Sequence, residues 1–437
     1  MAACHSLDPD QWRQTLDAAV DRVAGRFARA EPRRTAKAFV EGLLSTVERK
    51  TCWSLAEHAG HGDPQRMQRL LREAVWDADA VRDDTRDWLI EQLGHPEGVL
   101  IGDETGFVKK GVCSVGVQRQ YTGTAGRIEN AQVAVFLAYA SPRGRALIDR
   151  RLYLPEATWC QQPQRRTAAG VPTDTTFATK PALARQMIGA AIDGGVQASW
   201  FTGDEVYGAD PGLRAELEAR GIGYVLAIGC DRRVATNNGR TLIRPDDLAA
   251  ELPDNVWQPY SCGPGAKGPR VYLWAWITTA TGGEHRWLLI RRNPYTGELA
   301  FYLCWSPHPV PLRALIRVAG CRWRIEELFQ TSKNETGLDH YQVRGWTPWY
   351  RFITLAMLAL AILTTLATQD ADDTDTEHIP ITVPEIRRLL NILIITPTGD
   401  LAHAIHWSLW RRKVQARARQ AHYQRRLTRD SQVMLEY

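Results

Sequence analysis

The chain has 437 residues, 44% of them hydrophobic and 24% charged, with a formal net charge of +5. This is too long for one ordinary domain and has ample material for a core, and so mild a charge excess does not by itself imply a nucleic-acid partner. Its eight cysteines form no C-x-x-C pair, which excludes the usual zinc and redox patterns and predicts reduced thiols. The N-terminal MAACHSLDPDQW lacks the basic-then-apolar layout of a secretory signal, so a cytoplasmic protein is expected.

Residues 1–95 are expected to form a helical DNA-binding domain, with apolar residues at helical spacing in QWRQTLDAAVDRVAGRF, AKAFVEGLLSTV and DTRDWLIEQLG. Between them TCWSLAEHAGHGDPQRMQRLLREA predicts two short helices around a Gly-Asp-Pro turn, the second starting at Pro64. That second helix carries Arg66, Arg69 and Arg72 at three-residue spacing, expected to share one face. The face reads either as a DNA contact or as the solvated side of a bundle. From residue 96 to 229 the texture changes. GVLIGDE, SVGVQRQY and QVAVFLAYA predict three sequential antiparallel strands, and KPALARQMIGAAIDGG a helix. ASWFTGDE predicts a further strand, PGLRAELEARG a helix and IGYVLAIG another strand. This order predicts an α/β fold with one mixed sheet flanked by helices.

Residues 230–312 read as a β-rich insertion with strands at RVYLWAWITTA, HRWLLIRRNPY and LAFYLCWS. Residues 313–367 return to the core with one long helix, PLRALIRVAGCRWRIEELFQTSKNETG, and then the apolar Phe352–Ala367. These 16 residues fall short of the roughly 20 a spanning helix needs, so a buried helix and no membrane are expected. Residues 368–437 combine an acidic linker (Thr368–Thr382) with a basic tail, in which Arg411, Arg412 and six further Lys or Arg residues face one acid, Asp430. Interleaved Trp410 and Tyr423 suit salt-dependent DNA contact, the alternative being a solvated helix.

Chemistry concentrates on three acids. Asp103 ends the predicted strand VLIGD and Asp204 ends WFTGD; each is followed by a second acid and a turn. Carboxylates at the carboxyl ends of two strands of one sheet would meet at its edge. Adjacent carboxylates repel unless a cation intervenes, and oxygen-only ligation suits Mg²⁺ or Mn²⁺. On the long helix Arg322, Glu326 and Lys333 fall at about 0°, 40° and 20°, on one face. Glu327 points about 100° away from Glu326.

The strand-Asp, strand-Asp, helix-Glu order resembles the DDE transposases of bacterial insertion sequences, which use a ribonuclease-H-like core. CRWRIEELFQTSK is similar to the Tyr-Arg-Glu-Lys signature of one branch, matching at Arg322, Glu326 and Lys333 and departing at Ala319, where that branch has tyrosine. DETGFVKKG, GVQRQYTG, GDEVYG and GLDHYQVRGW also resemble a DDE endonuclease subfamily, over roughly Asp103 to Trp349. The resemblance implies that Asp103, Asp204 and Glu326 are catalytic and hold two Mg²⁺ ions, with Mn²⁺ as a substitute. It implies cleavage of double-stranded DNA at element ends and transfer of the freed 3′-hydroxyls to target DNA, by a homodimer in a synaptic complex. Arg322 and Lys333 would hold phosphates. Lys109, Lys110 and Arg119, near the first Asp, and Arg66, Arg69, Arg411 and Arg412 are further candidate DNA contacts. The competing readings are another ribonuclease-H-like nuclease and a non-catalytic, transposase-derived DNA-binding regulator.

Overall fold

The computed structural model describes residues 8–236, 239–265, 268–279, 284–372, 381–395 and 400–435. Five helices come first: α1 (Pro9–Ala24), α2 (Ala30–Leu44), α3 (Cys52–His58), α4 (Gln65–Arg72) and α5 (Ala78–Leu93). Next are β1 (Val99–Val108), β2 (Gln118–Thr122), β3 (Arg127–Ala140), β4 (Arg145–Leu152), α6 (Pro163–Ala169) and α7 (Lys180–Asp193). Then follow β5 (Trp200–Gly203), α8 (Glu205–Gly208), α9 (Pro211–Ala219), β6 (Gly223–Ile228), the small hairpin β7 (Val234–Thr236) and β8 (Thr241–Ile243), and α10 (Pro245–Glu251). The chain continues through β9 (Gln258–Gly265), β10 (Gly268–Thr278), β11 (Arg286–Arg292) and β12 (Leu299–Trp305). It ends with α11 (Leu312–Cys321), α12 (Trp323–Thr336), α13 (Trp346–Asp372), α14 (Val383–Leu393) and α15 (Leu401–Leu435).

The apolar segment organises the helices. Trp346–Gln369 has the length and apolarity of a membrane span, yet 89% of its most apolar window is buried inside the protein. A helix apolar on every side needs cover on every side. Helices α1, α2, α4, α5, α12 and α14 and strand β4 provide it. Ile353, Leu355, Ile362, Leu363 and Leu366 are fully enclosed, each burial contributing about 1.5–3 kcal/mol. The N-terminal helices therefore share one continuous core with α13 and the sheet instead of standing apart at residue 95. Of the acidic linker, Thr368–Asp372 continues α13, and residues 373–380 lie outside the described part.

One mixed sheet carries ten strands in the order β2-β3-β1-β5-β6-β12-β11-β10-β9, with β4 beside β3. Strand β1 is antiparallel to β3 and parallel to β5, and β5 is parallel to β6. The β-rich insertion adds to the core sheet: β12 pairs antiparallel with β6, Phe301 opposite Ile228 through Trp305 opposite Tyr224, so β9–β12 extend it. The fourth strand of the first half, RALIDRRL, was not expected. Its pattern is broken by Asp149 and Arg150, which are buried as ions: Asp149 pairs with Arg82 of α5, and Arg150 donates to Asp79 at 2.6 Å.

Candidate active site

Strands β1 and β5 run side by side in parallel until Gly102 meets Gly203. Both glycines are required by close packing, because a Cβ at Gly102 would come within 2.8 Å of the Phe201 ring and one at Gly203 within 3.0 Å of Tyr207. The next residues in each strand are Asp103 and Asp204, so the register sets the two carboxylates next to each other. Asp204 follows the last residue of β5 as expected, and caps α8 by accepting from the Val206 N–H at 2.9 Å. Asp103 does not end its strand. Strand β1 continues to Val108 because β3 goes on pairing with it, Asp103 opposite Phe136 through Val108 opposite Ala131. What ends at Gly102 is the parallel partner.

The acids repel one another. Burial, then Asp204 and Glu104, push the Asp103 carboxyl up to about 8, against the opposing charge of Arg322. Asp204 is also raised, by burial and then Glu104, again opposed by Arg322. A carboxylate pair this uncomfortable fits a hard divalent cation, which would remove the repulsion. Glu104 is already occupied: Lys180, at the start of α7, holds one oxygen at 2.5 Å, and the Tyr207 hydroxyl donates to the other at 3.0 Å. Tyr207 is fully buried among the three acids, which raise its hydroxyl well above the ordinary value after burial itself. Sequence reading missed Lys180 and Tyr207. Tyr207 sits in GDEVYG, but nothing local marks its ring as turned into the site. Lys180 is 76 residues from its partner.

The expected long helix is two helices, α11 and α12, meeting at Arg322. The turn tightens there, with Arg322 N–H reaching Ala319 O at 3.4 Å and Ile325 N–H reaching Arg322 O at 3.2 Å. Helix α11 is held against β9 so closely that a Cβ at Gly320 would meet the Cys262 carbonyl at 2.0 Å. Ala319, the signature position that lacks tyrosine, is buried. Arg322 keeps helical angles and forms an ion pair with Glu326 at 3.2 Å while its charge acts on both aspartates. Glu326, its side chain half exposed, is thus joined to the pair through Arg322 and not directly; among the described residues no three His, Cys, Asp or Glu side chains are grouped to hold a metal. Glu327 turns away and pairs with Arg145 at 2.8 Å. Lys333 reaches back to β1, donating to Thr105 Oγ1 at 2.8 Å and to Thr124 Oγ1 at 3.1 Å.

The remaining candidates scatter. Lys110 and Arg119 are exposed. Lys109 lies over the Tyr341 ring at 3.6 Å, and burial lowers its ammonium to about 8. The three arginines of α4 do not share a face. Arg66 and Arg69 line a depression with His61 and Asp63, whereas Arg72 opens into a separate cleft beside Trp53. Three-residue steps drift by about 60° each on a helix, so the first and third arginines diverge. Helix α4 itself begins at Gln65, Pro64 preceding it. In α15 Arg411 is bonded to Glu57 and Arg412 is exposed.

A tight contact behind Asp204 yields a direct test. A Cβ on Gly208 would lie 1.9 Å from the Ala227 carbonyl of β6. Gly208→Ala must push α8 off the sheet, costing about 1–3 kcal/mol and displacing Asp204; thermal denaturation should show the loss, and an unchanged Tm would mean that the contact is looser.

The sequence model of the DDE superfamily endonuclease family matches residues 22–246, just over half of the chain, a span that includes both aspartates and stops before Glu326. A probable transposase for insertion sequence element IS701 from Microchaete diplosiphon is 28% identical over 188 residues. That match spans 43% of this chain and 46% of the relative, under half of its length. A solved piggyBac transposase synaptic complex with hairpin DNA is a distant likeness, with a TM-score of 0.48 at 12% identity over 92% of this chain and 84% of that one. With its mixed sheet and paired strand aspartates, the chain belongs to the DDE superfamily endonuclease family.

Proposed function

We propose that this protein is a DNA transposase that cleaves the ends of an insertion sequence and joins their 3′-hydroxyls to target DNA, working as a homodimer on a ribonuclease-H-like core. The observation that carries the reading is the register at Gly102 and Gly203, which sets Asp103 and Asp204 together with raised proton affinity in a chain of the DDE endonuclease family. The strand order β4-β3-β1-β5-β6, antiparallel on one side of β1 and parallel on the other, supports the core assignment.

In this reading Asp103, Asp204 and Glu326 would hold Mg²⁺, Glu326 being the ligand now paired with Arg322. Two such ions would supply charge for an in-line phosphoryl displacement. The released Arg322 offers a planar fork to a phosphate, and Lys333 a point charge two residues along β1 from Asp103. Lys180 and Tyr207 keep Glu104 bonded, so it adds negative charge without competing as a ligand.

The test uses the purified chain, duplexes carrying the DNA that flanks its own gene, and Mg²⁺ or Mn²⁺. Wild type should nick the ends and join pre-cleaved ends to a target. Glu326→Gln should abolish nicking, whereas Glu327→Gln, which loses only its bond to Arg145, should nick at a rate within about threefold of wild type, well inside the 1.4 kcal/mol that separates tenfold effects. Full nicking by Glu326→Gln would move the third ligand elsewhere. Nicking without joining would favour another nuclease, and metal-independent binding with no cleavage a regulator.

A further inference from the structure

A cleft of about 1370 Å³ opens between the N-terminal helices and the core. One wall is α4 and the start of α3, the other the segment 341–348 that leads into α13, and the floor includes Val112, Cys113 and α6. Among the described residues its charged lining is Arg72, Arg165 and Arg344, with no carboxylate. Arg72 and Arg344 are exposed. Arg165 donates to the carbonyls of Thr158, Val112 and Val117 and lies over the Trp159 ring at 4.1 Å, and among the described residues no acid pairs with it. Such a field attracts an anion and repels other cations.

One face of β1, with Thr105 and Phe107 buried, lies between the acids and the cleft. From Asp103, β1 passes Thr105, which holds Lys333, then Phe107, whose ring stands 5.4 Å from Tyr341, then Lys109, which covers Tyr341. Tyr341 lines the cleft. Asp339 is the carboxylate acting on Lys109 and Lys333, and it lies outside the lining. Six residues of extended strand cover roughly 20 Å, about six base-pair steps at 3.4 Å each.

We propose that double-stranded DNA lies across the mouth of this cleft, its phosphates gripped by Arg72 and Arg344 beginning about six base pairs from the bond that meets Asp103 and Asp204. The inference rests on the nuclease reading of those acids and adds where the substrate runs: between α4 and the 341–348 segment, not across the face of Arg66 and Arg69.

Binding in EDTA tests the cleft separately from catalysis. End-bearing duplexes that extend about 4 or about 14 base pairs from the cut, on each side in turn, are titrated by fluorescence anisotropy across a salt series. Wild type should bind the longer extension more tightly on one side. The double variant Arg72→Gln/Arg344→Gln should lose that length advantage, about 10-fold or more, and its log–log salt slope should fall by about 2. Hydroxyl-radical footprinting should show protection from about the sixth base pair outward in wild type and not in the variant. An unchanged length advantage and salt slope in a variant of wild-type melting temperature would overturn the proposal, as would equal displacement of DNA by a single-stranded RNA with no length dependence. If the double variant melts early, Arg344→Gln alone carries the same readouts. Failure to cleave in Mg²⁺ would count against the acids and leave the binding result standing.

Discussion

Asp103→Asn is expected to lower strand cleavage by about 10²–10³-fold or more while making the cation-free protein more stable. The carboxyl is pushed up to about 8 by burial and by Asp204 and Glu104, whereas an unfolded aspartate titrates near 4. A folded-state value above the unfolded one means that the folded protein holds its proton more tightly. The associated stability is therefore complete below about pH 4 and is lost as the pH climbs towards about 8. Asparagine carries no such charge, so the gain of the variant over wild type in EDTA should grow across that window and level off above it. A gain of about 1 kcal/mol corresponds to a rise in Tm of about 1 °C in a protein of this size. Divalent cation should raise the Tm of wild type, by offsetting the same repulsion, and leave Asp103→Asn nearly unmoved. Melting curves at pH 5 and pH 8.5, with and without Mg²⁺, measure all of this. A variant less stable than wild type in EDTA at pH 8.5 would show that Arg322 alone balances the acids.

The second large effect is on folding. Asp149 of β4 lies against Arg82 and beside Arg150, with side chains 2%, 5% and 0% exposed. Asp149→Ala leaves two guanidinium groups buried with, among the described residues, the outer Asp79 and Asp83 as counterions. Breaking a buried pair from one side costs about 3–5 kcal/mol. Urea denaturation should show that loss. Adding Arg82→Met should recover part of it, because apolar substitutes for a buried pair are often near neutral. A single-variant loss under 1 kcal/mol would mean that water reaches the site. The lock has a structural consequence: it fastens α5 to the sheet that carries the acids.

Particular residues show where sequence reasoning reached and where it stopped. The hairpin-like first half, β5, α7, α9 and β6 were legible because each has its own period and its own punctuation, such as the glycine after α7. The Arg322–Glu326 pair was legible because helix geometry alone sets i,i+4 neighbours. Strand β4 was not, since its ions are neutralised by partners about 70 residues away or more. Neither was the joining of the β-rich segment to β6, because pairing between strands more than 70 residues apart leaves no local trace.

The same division runs through the site. By itself the sequence determined two aspartates after short apolar runs, an acid one helical turn from an arginine, and a buried apolar helix, all of which follow from short-range geometry and side-chain chemistry. Only the tertiary structure decided that Gly102 and Gly203 share a register, that Lys180 and Tyr207 occupy Glu104, that Glu326 meets the aspartates through Arg322, and that Arg72 parts from Arg66 to face a cleft. Those outcomes depend on which distant surfaces pack together, and close packing around α13 and the glycines of the sheet selects among arrangements that the local signals leave equal.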